Sequence, residues 1–442
     1  MNYNDFLSIY FSNISLFLII FLIIIPICYY SVNYFSISKL IDPIHFFWTY
    51  TFGTTYSIII GLYILNQIST YLIILISISA LIILISFFIG YKANVNIIKY
   101  PIKLLTKSND GHLIFKFSFF LLCILYIIII SKIGLTIFSE ENRFQQNKGI
   151  GPLVRVADAL RPFVLAYSAV YISFYFKAYK RILGYIILFS VAIISSLSNG
   201  AKFALLEIIY AISTCFILYT GSKFKITFSK LIKILFYFIV VLIFALSILH
   251  FSLKNSNIVM KPQYLSEETP IVIEKIFLRT LSNGDQSYLG LPNDVIEKIP
   301  DGSLINNILS SITGKENFRR IFLNNDELSN VGQKILKYHF PSFDSAGGPV
   351  SHFDLYFYHY LPIGLNFIAI FLMGLLLISI VNNRYLARGN IFISSIIATL
   401  WVRGLIMLLE PAMGLTYIID FLFMMMLIKV LILLLPKKRS HY

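Results

Sequence analysis

Charged side chains are scarce in this chain: Asp, Glu, Lys and Arg together make up 13% of its 442 residues. Soluble globular domains carry about a quarter, so the composition excludes both a water-soluble enzyme and a disordered chain. Cysteine is scarcer still, with three residues. Cys28, Cys123 and Cys215 each lie inside an apolar run, with no CxxC spacing and no His neighbour at metal-ligand spacing, and read as buried, unreactive side chains. There is no P-loop, GxSxG or HExxH anywhere, and no DxD or His-rich metal motif in the segments placed outside below. The first apolar run lacks a basic leader and a small-residue cleavage site, so it is expected to remain as a span. No inverted internal repeat, the mark of many transporters, is visible.

What is present is apolar: 58% of the residues are hydrophobic. They fall in runs of about 20, the length that crosses a ~30 Å hydrocarbon core. The formal charge of +15 is spread in small groups between these runs and not in one patch, which argues against a nucleic-acid partner. The runs predict an all-α polytopic integral membrane protein of about 11 spans, at 12–34, 45–65, 69–90, 114–131, 160–178, 182–198, 203–220, 231–251, 354–381, 390–409 and 412–434. Lys39, the Lys92 to Lys107 group, Lys177 to Arg181, Lys223 to Lys233, Arg384 and Arg388, and the tail Lys437, Lys438 and Arg439 all share one side, opposed only by Asp42 and Asp110. By the positive-inside bias that side is cytoplasmic, with the N-terminus outside and the C-terminus inside.

Three regions follow: an N-terminal bundle over 1–251 with eight spans and an outside loop at 132–160, a large outside loop at 252–353, and three C-terminal spans with a basic tail over 354–442. Within the large loop, Thr269-Pro270 reads as a helix start, and Leu304, Ile305, Ile308, Leu309 and Ile312 recur at helical spacing, as do Leu328, Val331 and Ile335. The expected form is a cap of amphipathic helices lying on the bilayer.

Ionisable groups in or near spans are costly and mark candidate sites. Lys202 and, deeper, Glu207 follow a short outer turn; Arg403 and Glu410, seven apart, share a helix face and could pair; Asp420, inside the last span, needs a partner across the bundle. The first outside loop contributes Arg143, Lys148, Arg155, Asp158 and Arg161. At the end of the large loop a Gly347-Gly348-Pro349 turn leads to His352 and Asp354, and is expected to present His352 at the outer bilayer surface. His352 and Asp354, two apart, do not form a ready dyad, whereas His352 and Tyr356 share a helix face. Arg155, Arg161, Lys202, Arg279, Arg403, Arg319 and Arg320 form a basic set able to hold a diphosphate without a metal, because the guanidinium fork matches phosphate oxygens. Each also has a bland reading: solvated charges, a snorkelling Lys202, a structural ion pair, a structural histidine.

At these residues the chain resembles the bacterial O-antigen and oligosaccharide repeat-unit polymerases (Wzy), related in architecture to the O-antigen ligases (WaaL). The span number, the basic short loop and the large loop before the last spans carry the general likeness. Ser198 to Leu206 resembles the superfamily's Ser-x-x-Arg-x-x-x-Leu stretch, with Lys202 where Arg is usual; Ser351-His352-Phe353-Asp354 to Leu361-Pro362-Ile363-Gly364 resembles the ligases' His-Asn-x-x-Leu then Gly pattern, with Asp354 displaced by one position. The resemblance implies a GT-C-like fold in the bacterial inner membrane. It also implies a metal-independent, cofactor-free inverting glycosyl transfer at the periplasmic face, between an undecaprenyl-diphosphate-linked glycan donor and a lipid-linked repeat-unit acceptor. Membrane lipids and a chain-length regulator are the expected partners. In that reading Arg155, Arg161, Lys202, Arg279 and Arg403 hold the diphosphate, with Arg319 and Arg320 as further basic candidates, and His352, Asp354 and Glu410 are the candidate catalytic groups. An O-antigen ligase, a lipid-linked oligosaccharide transporter and a non-catalytic scaffold are the competing readings.

Overall fold

In hydrocarbon every backbone N–H and C=O has to be paired inside the protein, so apolar runs of this length can only be helices or a closed barrel. The computed structural model describes residues 1–107, 110–134, 149–197, 203–221, 271–322, 328–342 and 348–434, and among these residues it is helical without any strand. Among the described residues seven helices are long and apolar enough to cross a membrane. They are α2 (Ile14–Asn33), α4 (Thr70–Lys92), α6 (Gly111–Ile133), α8 (Ala178–Leu197), α17 (Leu365–Asn382), α18 (Ile391–Gly404, extended by a 3-10 turn Leu405–Leu408) and α19 (Pro411–Leu434). Of the other runs, three correspond to α3 (Gly53–Ile64), α7 (Gly151–Tyr175) and α9 (Phe203–Thr220), and the 231–251 run lies outside the described residues.

Two expected spans depart from a single straight helix. The 45–65 run opens with a π-helix, His45–Phe52, whose wider turns carry Trp48 and Phe52 toward Phe353 before α3 continues. The 354–381 run is broken into α16 (Phe353–Tyr360) and α17 by Leu361–Gly364. Leu361 is extended, as the residue before a proline tends to be, Pro362 has no N–H to donate, and Gly364 sits at φ +96°. A further short helix, α1 (Tyr3–Ser12), precedes the first span, and amphipathic α5 (Lys99–Thr106) joins α4 to α6.

The centre of the bundle is α18, which packs against α7, α9, α17 and α19. Its small and hydroxyl side chains Ser394, Ser395, Ala398, Thr399 and Gly404 are all buried, and such residues let neighbouring backbones approach closely where apolar solvent gives little drive for association. One anchor was not legible in the sequence. Asp42, placed by the charge pattern on the inner surface, is buried, and its carboxylate accepts from the Ile37 amide at 2.6 Å, Ser38 amide at 2.8 Å, Ile44 amide at 3.0 Å and the Trp401 indole at 2.9 Å. It ties the α2 to π-helix connection to α18.

Over one end of the bundle lies the cap: α10 (Ile271–Leu281), α11 (Asp285–Gly290), α12 (Val295–Lys298), α13 (Leu304–Thr313), α14 (Lys315–Phe322) and α15 (Val331–His339). The Thr269-Pro270 start lies outside the described residues, and α10 follows it directly. Helix α13 turns its polar side inward: Asn307 and Ser310 are buried, Tyr356 Oη donates to Asn307 at 2.8 Å, and Ile305 on the apolar stripe is exposed. Leu304 and Ile308 of the same stripe are half-buried against the core, so α13 makes both polar and apolar contacts with the bundle. The cap is pinned at its edge by α1, where Phe6 stacks on Tyr288 with centroids 3.9 Å apart.

Candidate anion site at the cap end of the bundle

Pro152 stands in the first turn of α7, where a missing N–H costs nothing, and the helix then carries Arg155, Asp158 and Arg161 at intervals of three, which keeps them on adjoining faces. Three other helices bring partners. Arg161 donates through Nη1 to Asp158 at 2.7 Å and through Nη2 to Glu207 of α9 at 3.0 Å. Arg403, at the end of α18, forms an ion pair through Nε with the other Glu207 oxygen, donates to the Asp158 carbonyl, and lies over the Tyr417 ring at 4.5 Å. Arg155 grips Asp420 of α19 with two nitrogens, Nη2 at 2.8 Å, and donates to the Ser311 carbonyl of cap helix α13 at 3.2 Å. Arg161, Glu207 and Arg403 are at most 4% exposed. A charge taken out of water needs a partner of opposite sign, and here three arginines (155, 161, 403) meet three carboxylates (158, 207, 420), so their formal charges sum to zero.

A second group lies where the cap meets the turn after α18. The Ser351 amide donates to Glu410 at 3.3 Å, Asn330 Nδ2 donates to the same oxygen at 2.9 Å, and the His352 amide donates to Gln286 at 2.6 Å. Ser351 Oγ accepts from the Gly332 amide at 3.1 Å. Gly332 has to be glycine for this closure: a Cβ there would lie 2.0 Å from the Pro349 carbonyl oxygen. Glu410 is half-buried, and burial pushes its carboxyl up to about 8 against the opposing pull of the Ser351 amide, Lys315 and Asn330.

His352 is not at the surface. It is fully buried, with its ring 4.8 Å from that of Phe52 and neither ring nitrogen hydrogen-bonded among the described residues, and burial lowers its pKa to about 3. The sequence showed the turn but not the aromatic wall that the π-helix places against it. Asp354 is buried as well, at the start of α16. The Arg403–Glu410 pair that the spacing allows does not form: the 3-10 turn after Gly404 takes Glu410 off the face of Arg403, which pairs with Glu207 instead. Asp420 does find its partner across the bundle, in Arg155. Arg279, Arg319 and Arg320 are exposed on the cap, the first close enough to Asp285 to counter the rise that burial gives that carboxyl, and none of the three is ion-paired with Asp158, Glu207 or Asp420. Lys202, Arg143 and Lys148 lie outside the described residues. Gln286, Asn330 and Asn307, which fix the cap to the bundle, were missed, because lone amides in polar loops carry no local signal.

Among the described residues no group of three or more His, Cys, Asp or Glu side chains is placed to hold a metal ion. What the site offers is guanidinium groups, which can bind an oxyanion bidentately. The fold and site define a multi-pass α-helical membrane protein with a neutral arginine–carboxylate network beneath a helical cap. Comparison with protein-family models, with curated proteins and with solved structures finds no match in any of the three.

Proposed function

We propose that the protein is a lipid-linked repeat-unit polymerase of the O-antigen type, a GT-C-like enzyme of about 11 spans in the bacterial inner membrane, with the cap on the periplasmic side. The observation that carries this reading is the gathering of Arg155, Arg161 and Arg403 from two helices, α7 and α18, at the cap end. In the proposed reaction the acceptor sugar's hydroxyl attacks the donor's anomeric carbon, the bond from that carbon to the diphosphate oxygen breaks, and undecaprenyl diphosphate leaves. Fixed guanidinium groups in a low-dielectric site stabilise the charge developing on the leaving diphosphate. Of the three candidate catalytic groups, Glu410 suits the base: it is half-buried beside the cap, whereas His352 and Asp354 are sealed among side chains. His352 then serves to position the turn that supports Glu410.

A base has to be ionised to take the proton, and a carboxyl held at about 8 is mostly protonated at neutral pH. Polymer formation by the purified protein is therefore expected to rise between about pH 7 and 9 as Glu410 ionises, and Glu410→Gln to be slow and flat over that range. A wild-type rate that is level over that range would remove Glu410 from the role. The decisive test is a glycan ladder from cells lacking the gene, complemented with wild type, Arg155→Ala or Arg403→Ala. Core carrying a single repeat unit in the deletion strain, a ladder with wild type, and at least a tenfold loss of long chains in the variants, the scale of removing one preorganised donor, is expected. Lipid-linked polymer without any O-unit on the core would mean a ligase, and unchanged glycan would end the assignment.

A further inference from the structure

The ion pairs of the network differ in how far they are open, and the difference assigns them different roles. Arg161 and Glu207 have side chains 3% and 2% exposed, whereas Arg155 is 29% and Asp420 18% exposed. Arg155 meets Asp420 through Nε and Nη2, the planar two-point grip that a guanidinium also gives a phosphate. Its third contact is to a carbonyl of the cap, Ser311 O. Arg161 and Arg403, by contrast, are locked on the two oxygens of one buried carboxylate, Glu207.

We infer that Asp420 is a built-in placeholder for the anionic ligand: it occupies the Arg155 fork when no diphosphate is bound, and a diphosphate displaces it, while Glu207 stays in place and positions Arg161 and Arg403. This rests on the reading of the network as an anion site and adds a competitor within it. The site is neutral in the structure, so an incoming dianion has to take a guanidinium from a carboxylate; solvent reaches both Asp158 (22%) and Asp420 (18%), but only Asp420 is held by an arginine that is itself open, since Arg161 is 3% exposed. The exchange guards against an uncompensated half-buried arginine between turnovers, and it lowers affinity for the ligand by the strength of the internal pair. Since Asp420 lies on α19 and Arg155 also holds α13, displacement loosens one tie between α7 and the last span at the cap.

The test is binding of inorganic pyrophosphate, followed by calorimetry on the full-length protein in nanodiscs, to wild type, Asp420→Asn, Asp420→Ser and Arg155→Ala. Removing the competing charge is expected to tighten pyrophosphate on the order of tenfold, a coupling of ordinary size between sites, and Asp420→Asn combined with Arg155→Ala to lose the gain. Equal or weaker binding by both Asp420 variants overturns the placeholder. So does failure of both to accumulate while Arg155→Ala accumulates normally, since Asp420 would then be a structural need. A tightened pyrophosphate site in a protein whose deletion leaves cellular glycan unchanged retires the polymerase reading and keeps the placeholder; a gene-dependent ladder without tightening does the reverse.

Discussion

Glu207→Ala is expected to lose most of the folded protein from the membrane. Glu207 is 2% exposed and each of its oxygens faces a different arginine, Arg161 and Arg403. Truncating it leaves two buried guanidinium groups without their shared counter-ion, and breaking one buried pair by removing one partner already costs about 3–5 kcal/mol. That compares with a total stability of about 5–15 kcal/mol for a typical domain. Asp158 relieves only part of the loss, through one carboxylate contact to Arg161 and one carbonyl contact to Arg403. The readout is the monodisperse yield after detergent extraction and the melting temperature of what remains. The double variant Glu207→Ala with Arg403→Met separates charge from packing: if the unpaired charge is the cause, deleting it restores part of the yield, whereas simple loss of contacts makes the double variant worse. Wild-type yield and melting for Glu207→Ala would show that water reaches these arginines and that the network is not a buried one.

The second large effect is expected at Asp42. Its carboxylate gathers three backbone amides, the Ser38 hydroxyl at 3.2 Å and the Trp401 indole. Each donor left unpaired in a buried place costs about 1–3 kcal/mol, though the terms are not additive. Asp42→Ala is expected to destabilise by about 3 kcal/mol or more, because the Ile37, Ser38 and Ile44 amides and the Trp401 indole lose one shared acceptor together, and to change the emission of Trp401, one of only two tryptophans. Asp42→Asn keeps the Trp401 and Ile44 contacts to one oxygen and should fall between. A melting temperature for Asp42→Ala within about 0.5 °C of wild type, which corresponds to about 0.5 kcal/mol in a chain of this size, would exclude the carboxylate as an anchor.

These two residues show how legibility divides along the chain. Glu207 and Asp420 announced themselves because an acid inside an apolar run demands a partner whatever the fold. Which arginine answered was not readable: Arg403 and Glu410 had the right spacing on paper, but the 3-10 turn Leu405–Leu408 changes the angle per residue and parts them. Asp42 gave no such signal. It stands near Lys39 in a short polar connection, and nothing within ten residues hints at an indole 359 positions away. His352 was misplaced by the same blindness, since the aromatic side chains that bury it belong partly to a π-helix, and a wider helical turn leaves no mark on apolar periodicity.

By itself the sequence determined that the chain is helical and crosses a membrane, where most helices lie, and which few ionisable groups need partners, because hydrocarbon solvent forbids unpaired backbone and unpaired charge at any position. Only the tertiary structure decided the pairings: Glu207 between two arginines, Asp420 in the grip of Arg155, Asp42 under Trp401, and His352 walled in. Contacts of that kind join residues from different helices, and their geometry is set by how the helices pack and where they break, which no local pattern of residues encodes.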